Sequence, residues 1–335
     1  MRILYIGHYN EGSTSKMRGE YLKEILNASE FYHINIDIPL QGTNRLIRSF
    51  GWRYRIGPLI TNINNYIISH TPNNEFDLVW IDKGVFIKPS VLKNLRSRSK
   101  LLIHFTPDPA FAYHQSELFY KSIPDYDFCV TTKSFEMNDY KKYGAKNVLY
   151  CTQGYDPRIH KPYYSFSQKS GVVFIGHMEP NREEIISKLL QKRVFVRLAG
   201  INWGKFYGKH KSNPHLQYLG NGIFGSEYGR VISESLLGLG FLSRIIPELH
   251  TTRTLEIPAC GTALVTERNQ ETQNLFTEDD VLFYSDHYEL LYKIDNVYND
   301  KEALKKITNQ GMNRVMNGGY DYKSILERIL KQIEL

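Results

Sequence analysis

Thr251, Thr252, Arg253 and Glu256 stand close together in the stretch ELHTTRTLEIPACGTALVT, and their types suit one ligand. Thr251 and Thr252 bring hydroxyls and backbone N–H groups to the start of an expected helix, where the macrodipole favours a phosphate. Arg253 adds a planar fork of donors beside them. Glu256, one helical turn further on, is suited to accept hydrogen bonds from the vicinal hydroxyls of a ribose. Gly261 ends the helix, and Thr262 to Val265 reads as the next buried strand. A diphosphate and a sugar could be held here together. The plainer alternative is a surface helix whose arginine and glutamates form a local ion pair and need no ligand.

A second group of candidates follows strands, where ligands bind in open parallel sheets. Gly176 ends the run VVFIG and permits close backbone approach, and Arg182 in the next helix could reach a diphosphate. In HYNEGSTSKMRG, Gly12, Ser13 and Thr14 precede a helix that carries Arg18. The spacing is not G-x-G-x-x-G, and a turn with a Ser/Thr cap explains the same letters. The segment IHFTPDPAFAYH brings His104, Asp108 and His114 to the C-terminal edge of another strand. Asp108 could deprotonate an acceptor hydroxyl, or serve only as a turn residue between prolines. No helix places two metal ligands on one face, so no catalytic metal and no cofactor are expected.

A length of 335 residues exceeds a typical single core and suggests two domains. Hydrophobic residues at 41% and charged ones at 23% are ordinary for a globular chain, which excludes disorder. Cys129, Cys151 and Cys260 have no metal-ligand spacing and fit a reducing compartment. The opening run MRILYIGHYN is interrupted before a signal-peptide core is complete, and no run approaches a bilayer span. A cytoplasmic protein is expected. Net charge is +7, split as +5 over residues 1–160 and +2 over 161–335, too diffuse for a nucleic-acid footprint. Its densest piece is RLIRSFGWRYR, with Arg45, Arg48, Arg53 and Arg55 among Phe50, Trp52 and Tyr54. It reads as a basic loop that packs its aromatics, the alternative being contact with an anionic membrane surface or a lipid-linked acceptor.

Strand-like and helix-like segments alternate through both halves, which argues two parallel sheets covered on both faces. Expected strands include Arg2 to Ile6, Leu78 to Asp82, Leu101 to Phe105 and Phe128 to Thr131, then Val172 to Ile175, Leu239 to Leu242 and Ala263 to Val265. The boundaries are an N-terminal Rossmann-like domain over 1–152, a Gly/Pro/Ser-rich linker over 153–170, a second Rossmann-like domain over 171–320, and a C-terminal helix in 321–335 that packs back on the first domain.

Glu248 and Glu256 have seven residues between them, and this pair resembles the motif of retaining glycosyltransferases of the GT-B fold, with two Rossmann-like domains facing each other across a cleft. TRTLEIPACGTALVTE, followed by LFTEDDVLFYSDHYEL, is most similar to the spore-maturation-protein-type enzymes among the family-4-like, group 1 glycosyl transferases. In the linker, Gly154, Asp156 and Pro162 stand where many GT-B enzymes carry a Gly-x-Asp-x-x-x-x-x-Pro segment. The resemblance implies transfer of a sugar from a nucleoside diphosphate sugar to a hydroxyl acceptor, with retention and without metal, in polysaccharide or glycoconjugate synthesis. It implies Glu248 and Arg253 as catalytic residues, to which the residues themselves add Asp108, with Gly176, Arg182, Thr251, Thr252, Arg253, Glu256 and Gly12 on the donor. His8, Arg18 and His104 fall on the acceptor side. A polysaccharide or lipid-linked acceptor and a peripheral contact with the inner face of a membrane are open; nucleic acid is not expected as a partner. A nucleotide-sugar epimerase and a non-catalytic nucleotide-sugar-binding protein are the alternatives.

Overall fold

Continuous apolar runs become the strands of two separate sheets. The computed structural model describes residues 1–112 and 114–335. The chain divides into two compact units, Met1–Thr152 with Tyr322–Leu335, and Gln153–Asp321. The expected α/β class with two Rossmann-like sheets is what the chain forms.

In the first unit β1 (Arg2–Gly7), β2 (Glu30–Asn35), β3 (Phe76–Asp82), β4 (Ser99–Thr106), β5 (Phe128–Thr131) and β6 (Val148–Tyr150) pair in the order β2-β1-β3-β4-β5-β6, all parallel. Leu78, Val79, Trp80 and Ile81 are fully buried, as a strand covered on both faces requires. The order reverses between β1 and β3, and the loops after these strands meet there. The Tyr322–Gln332 helix buries Tyr322, Ile325, Leu326, Ile329 and Leu330 at helical spacing and packs on the Thr14–Ile25 helix, where Lys323 meets Glu24 at 2.8 Å.

In the second unit β7 (Val172–Ile175), β8 (Val196–Ala199), β9 (Leu216–Tyr218), β10 (Leu237–Gly240), β11 (Ala263–Glu267) and β12 (Leu282–Tyr284) pair in the order β12-β11-β10-β7-β8-β9. The reversal lies between β7 and β10. Residues 153–170 are fastened to this unit: Tyr155 bridges Asp321, the Tyr163 and Tyr164 amides donate to Ser233 Oγ, and the Ile159 carbonyl lies 2.2 Å from where a Cβ on Gly229 would stand.

Three expectations are corrected by the first unit. The segment read as a basic loop is a helix, Arg45–Tyr54, capped by Asn44, and most of its large apolar side chains are exposed instead of packed. Arg18, expected near an acceptor, is enclosed: its Nε and Nη2 donate to Asp82 Oδ2 at 3.0 and 2.7 Å. A charge taken from water needs such a partner. His104, also placed on the acceptor side, is a core residue among Phe119, Tyr126 and Tyr140, its Nε2 3.1 Å from the Tyr140 hydroxyl. Burial pushes its pKa down to about 3, so it stays neutral and serves packing.

Candidate active site

The candidate centre of the second unit forms at the sheet reversal, from the segments that leave β7 and β10. After β7 the chain passes through Gly176, whose carbonyl accepts the Trp203 indole N–H at 2.8 Å. Gly200 lies against it with φ of 139°, and a Cβ there would stand 1.9 Å from the Gly176 oxygen, so only glycine fits.

Glu179, buried before the Pro180–Gln191 helix, binds the segment that leaves β10. Its carboxylate accepts from Ser243 Oγ at 3.0 Å and from the Arg244 amide at 2.9 Å, and it pairs with Arg182 Nη2 at 2.9 Å. The far end of that segment is held differently. His250 is buried, and its Nε2 accepts from the Gln153 amide at 2.9 Å, so its proton sits on Nδ1, 2.5 Å from Glu271 Oε2. Asn269 Nδ2 donates to the Leu249 carbonyl at 2.8 Å. Glu248 therefore lies between two anchored points, and Thr251, Thr252 and Arg253 follow directly after the second. Glu271→Ala should remove a charge-assisted bond worth about 1.5–3 kcal/mol. The expected result is a drop of about 10-fold in kcat/KM for the donor, measured at unchanged circular dichroism.

Arg182 and Arg253 converge on this stretch. Arg182 Nη1 donates to the His177 carbonyl at 2.9 Å, while its Nε is buried without a partner among the described residues. Burial pushes the Arg182 pKa below its ordinary value, Arg253 adds to this, and Glu179 and Glu248 oppose it. Both Arg253 and Glu248 are thus close enough to act on Arg182 electrostatically. Arg253 Nε and Thr251 Oγ1 are likewise buried and unpartnered among the described residues. Buried donors are normally satisfied, so two guanidiniums and a hydroxyl with unmet capacity fit an anion. One expected donor is spent: the Thr251 amide donates to Thr254 Oγ1 at 3.1 Å. Thr252 is the N-cap residue of the Arg253–Ala259 helix and makes no side-chain cap bond.

Glu256 sits in the first turn of that helix, buried, and accepts from the Tyr228 hydroxyl at 2.6 Å on Oε2. Its Oε1 lies 3.6 Å from His160 Nε2. Because His160 Nδ1 accepts from the Asp156 amide at 2.9 Å, the His160 proton is on Nε2 and faces the carboxylate. Oε1 retains acceptor capacity for a hydroxyl. Among the described residues no group of three His, Cys, Asp or Glu is placed to hold a metal ion.

In the first unit His8 follows β1 and its Nδ1 lies 2.7 Å from Asp37 Oδ1. With Arg45, Arg48 and Trp52 it lines an open pocket of about 500 Å³. Gly12, with φ of 77°, belongs to the turn before Ser13, whose hydroxyl caps the Thr14–Ile25 helix at the Lys16 amide. Asp108 does not match its expected role as a base. Burial alone would raise its pKa, but Lys83 at 2.6 Å and His114 at 3.4 Å more than offset this and hold it well below the ordinary carboxylate range. A carboxylate so stabilised takes a proton poorly near neutral pH.

Glu179, His250, Glu271, Tyr228 and Lys83 were not singled out from the sequence. A signal existed for two of them: Glu179 precedes Arg182 by one turn, and His250 lies inside the Glu248–Glu256 pair.

Residues 182–331 match the family model described as glycosyl transferase-like. No curated protein sequence matches the chain. Among solved structures, sucrose-phosphate synthase from Thermosynechococcus elongatus is similar with a TM-score of 0.66 at 12% identity, covering 99% of each chain. Anabaena HepE in complex with UDP-glucose is similar with a TM-score of 0.66 at 14% identity, covering 100% of this chain and 99% of that one. Trehalose-6-phosphate synthase from Burkholderia multivorans gives 0.63 at 10% identity, covering 99% and 98%. At such identities these likenesses define the fold, which is GT-B. With the glycosyl transferase-like domain over 182–331, the chain is a glycosyltransferase of this fold class.

Proposed function

We propose that the protein moves a sugar, with retention, from a nucleoside diphosphate sugar to a hydroxyl acceptor. The observation that carries this reading is the convergence of Arg182 and Arg253, each with an unmet Nε, beside Glu248 and the Thr251 hydroxyl at the reversal of the second sheet. The two arginines stabilise the negative charge that grows on the departing diphosphate. Glu256, braced by Tyr228, holds the ribose, and Glu248 faces the transferred sugar. Gly176 lets the diphosphate approach the main chain. Uridine diphosphate sugars are the first donors to test, since the similar HepE structures hold UDP and UDP-glucose.

In this reading the arginines take the place of a cation, so no metal and no cofactor take part. The acceptor is a polysaccharide or lipid-linked hydroxyl compound, and the protein makes a peripheral membrane contact. The family match is to a transferase domain and lends nothing to an epimerase. Incubation with a panel of UDP-sugars should release UDP, slowly to water and faster with an acceptor, and EDTA should leave the rate unchanged. An isomerised donor, loss of turnover in EDTA, or donor binding with no UDP release would each overturn this reading.

A further inference from the structure

The Arg45–Tyr54 helix presents a face that no described residue of its own unit covers. Leu46, Phe50 and Tyr54 recur every four residues and are 79%, 49% and 54% exposed. Ile47 flanks them, and Ile56 follows the helix at 58% exposed. The side held by the protein is Gly51, which lies against Leu59 so closely that a Cβ would stand 2.5 Å from the leucine Cβ. The helix is therefore anchored along one edge with its apolar stripe turned outward.

Its charges are of one sign. Arg45 and Arg53 are exposed, Arg48 half-buried, and among the described residues no carboxylate pairs with any of the three. From Ile38 to Asn74 the sequence contains neither Asp nor Glu. Arg45 and Arg48 turn toward the pocket shared with His8, Ser49 and Trp52. A helix with cations beside an exposed Leu/Phe/Tyr stripe matches an interface in which phosphates lie next to hydrocarbon. A second copy of this chain would bring arginines against arginines across a two-fold axis. Nucleic acid would answer the charge and leave the apolar stripe unmet.

We infer that the Arg45–Tyr54 helix lies on an anionic phospholipid surface, with Leu46, Phe50 and Tyr54 entering the headgroup–acyl boundary and Arg45, Arg48 and Arg53 contacting lipid phosphates. No helix among the described residues is long and apolar enough to cross a membrane, so the contact is a surface one. This deepens the peripheral contact in the proposed function by naming its face and its lipid, and it is independent of the donor site.

Flotation of the full chain with vesicles tests it. Vesicles containing phosphatidylglycerol should carry the protein, those of phosphatidylcholine alone should not, and added salt should weaken the binding. Leu46→Asn with Phe50→Ser should reduce it about 10-fold while UDP release from a UDP-sugar stays unchanged. Soluble glycerol phosphate should not displace the protein, which separates a bilayer from a free phosphate ligand. Failure to float, undiminished flotation of the double variant, displacement by glycerol phosphate, or a dimer in sedimentation that the double variant dissolves would overturn the inference. Loss of UDP release in the wild-type chain with flotation intact would instead count against the proposed transfer.

Discussion

Arg253→Ala should abolish most sugar transfer and leave the fold intact. Its guanidinium is half-buried, its Nε has no partner among the described residues, and it acts electrostatically on Arg182. Burial and Arg253 work against the charge on Arg182 while Glu179 and Glu248 support it, so removing Arg253 relieves a repulsion and costs the fold little. The same removal costs the reaction heavily, because a preorganised donor aimed at developing negative charge is worth about 10²–10³ in kcat. Arg253→Lys should recover only part of the loss, since an ammonium keeps the charge without the planar fork. Steady-state UDP release, with urea midpoints measured alongside, checks both halves of the expectation. Unchanged turnover in Arg253→Ala would remove the diphosphate assignment.

Asp82→Ala should have the largest effect on stability. Asp82 Oδ2 accepts from Arg18 Nε and Nη2 and from the Tyr5 hydroxyl at 2.9 Å, and both charged side chains are enclosed in the first unit. Truncating the carboxylate leaves the arginine charge buried and uncompensated, at a cost of about 3–5 kcal/mol. Replacing both partners, Asp82→Leu with Arg18→Met, should restore most of the stability, because the desolvation penalty of both ions is then absent. Urea unfolding, with hydrogen exchange followed at the β3 amides, reads the change in the first unit. A loss below about 1 kcal/mol would show that water reaches the pair.

How much of this was legible in the sequence depends on distance along the chain. Strands such as Val172–Ile175 and Phe128–Thr131 were readable because parallel strands buried on both faces are continuous apolar runs. The Glu248, Arg253 and Glu256 group was readable because one loop and one helical turn carry it. The bonds that fix it were not: His250 meets Gln153 across 97 residues, and Ser243 meets Glu179 across 64. Local pattern does not encode such pairs. Arg18 and His104 misled because a polar residue on a helix or near a strand end looks the same in sequence whether it faces solvent or the core. The Arg45–Tyr54 helix was missed although Leu46, Phe50 and Tyr54 keep its period, because the density of arginines read as a basic loop.

The contact between Gly176 and Gly200 constrains what this chain can become. Where β7 ends, two peptide units touch, and a side chain on Gly200 would run into the Gly176 main chain. In the proposed function this main-chain contact is the bed beneath the sugar nucleotide, and a side chain at Gly200 cannot retune it. Divergence toward another donor has to be written in the surrounding rim, by way of residues such as those flanking Glu248.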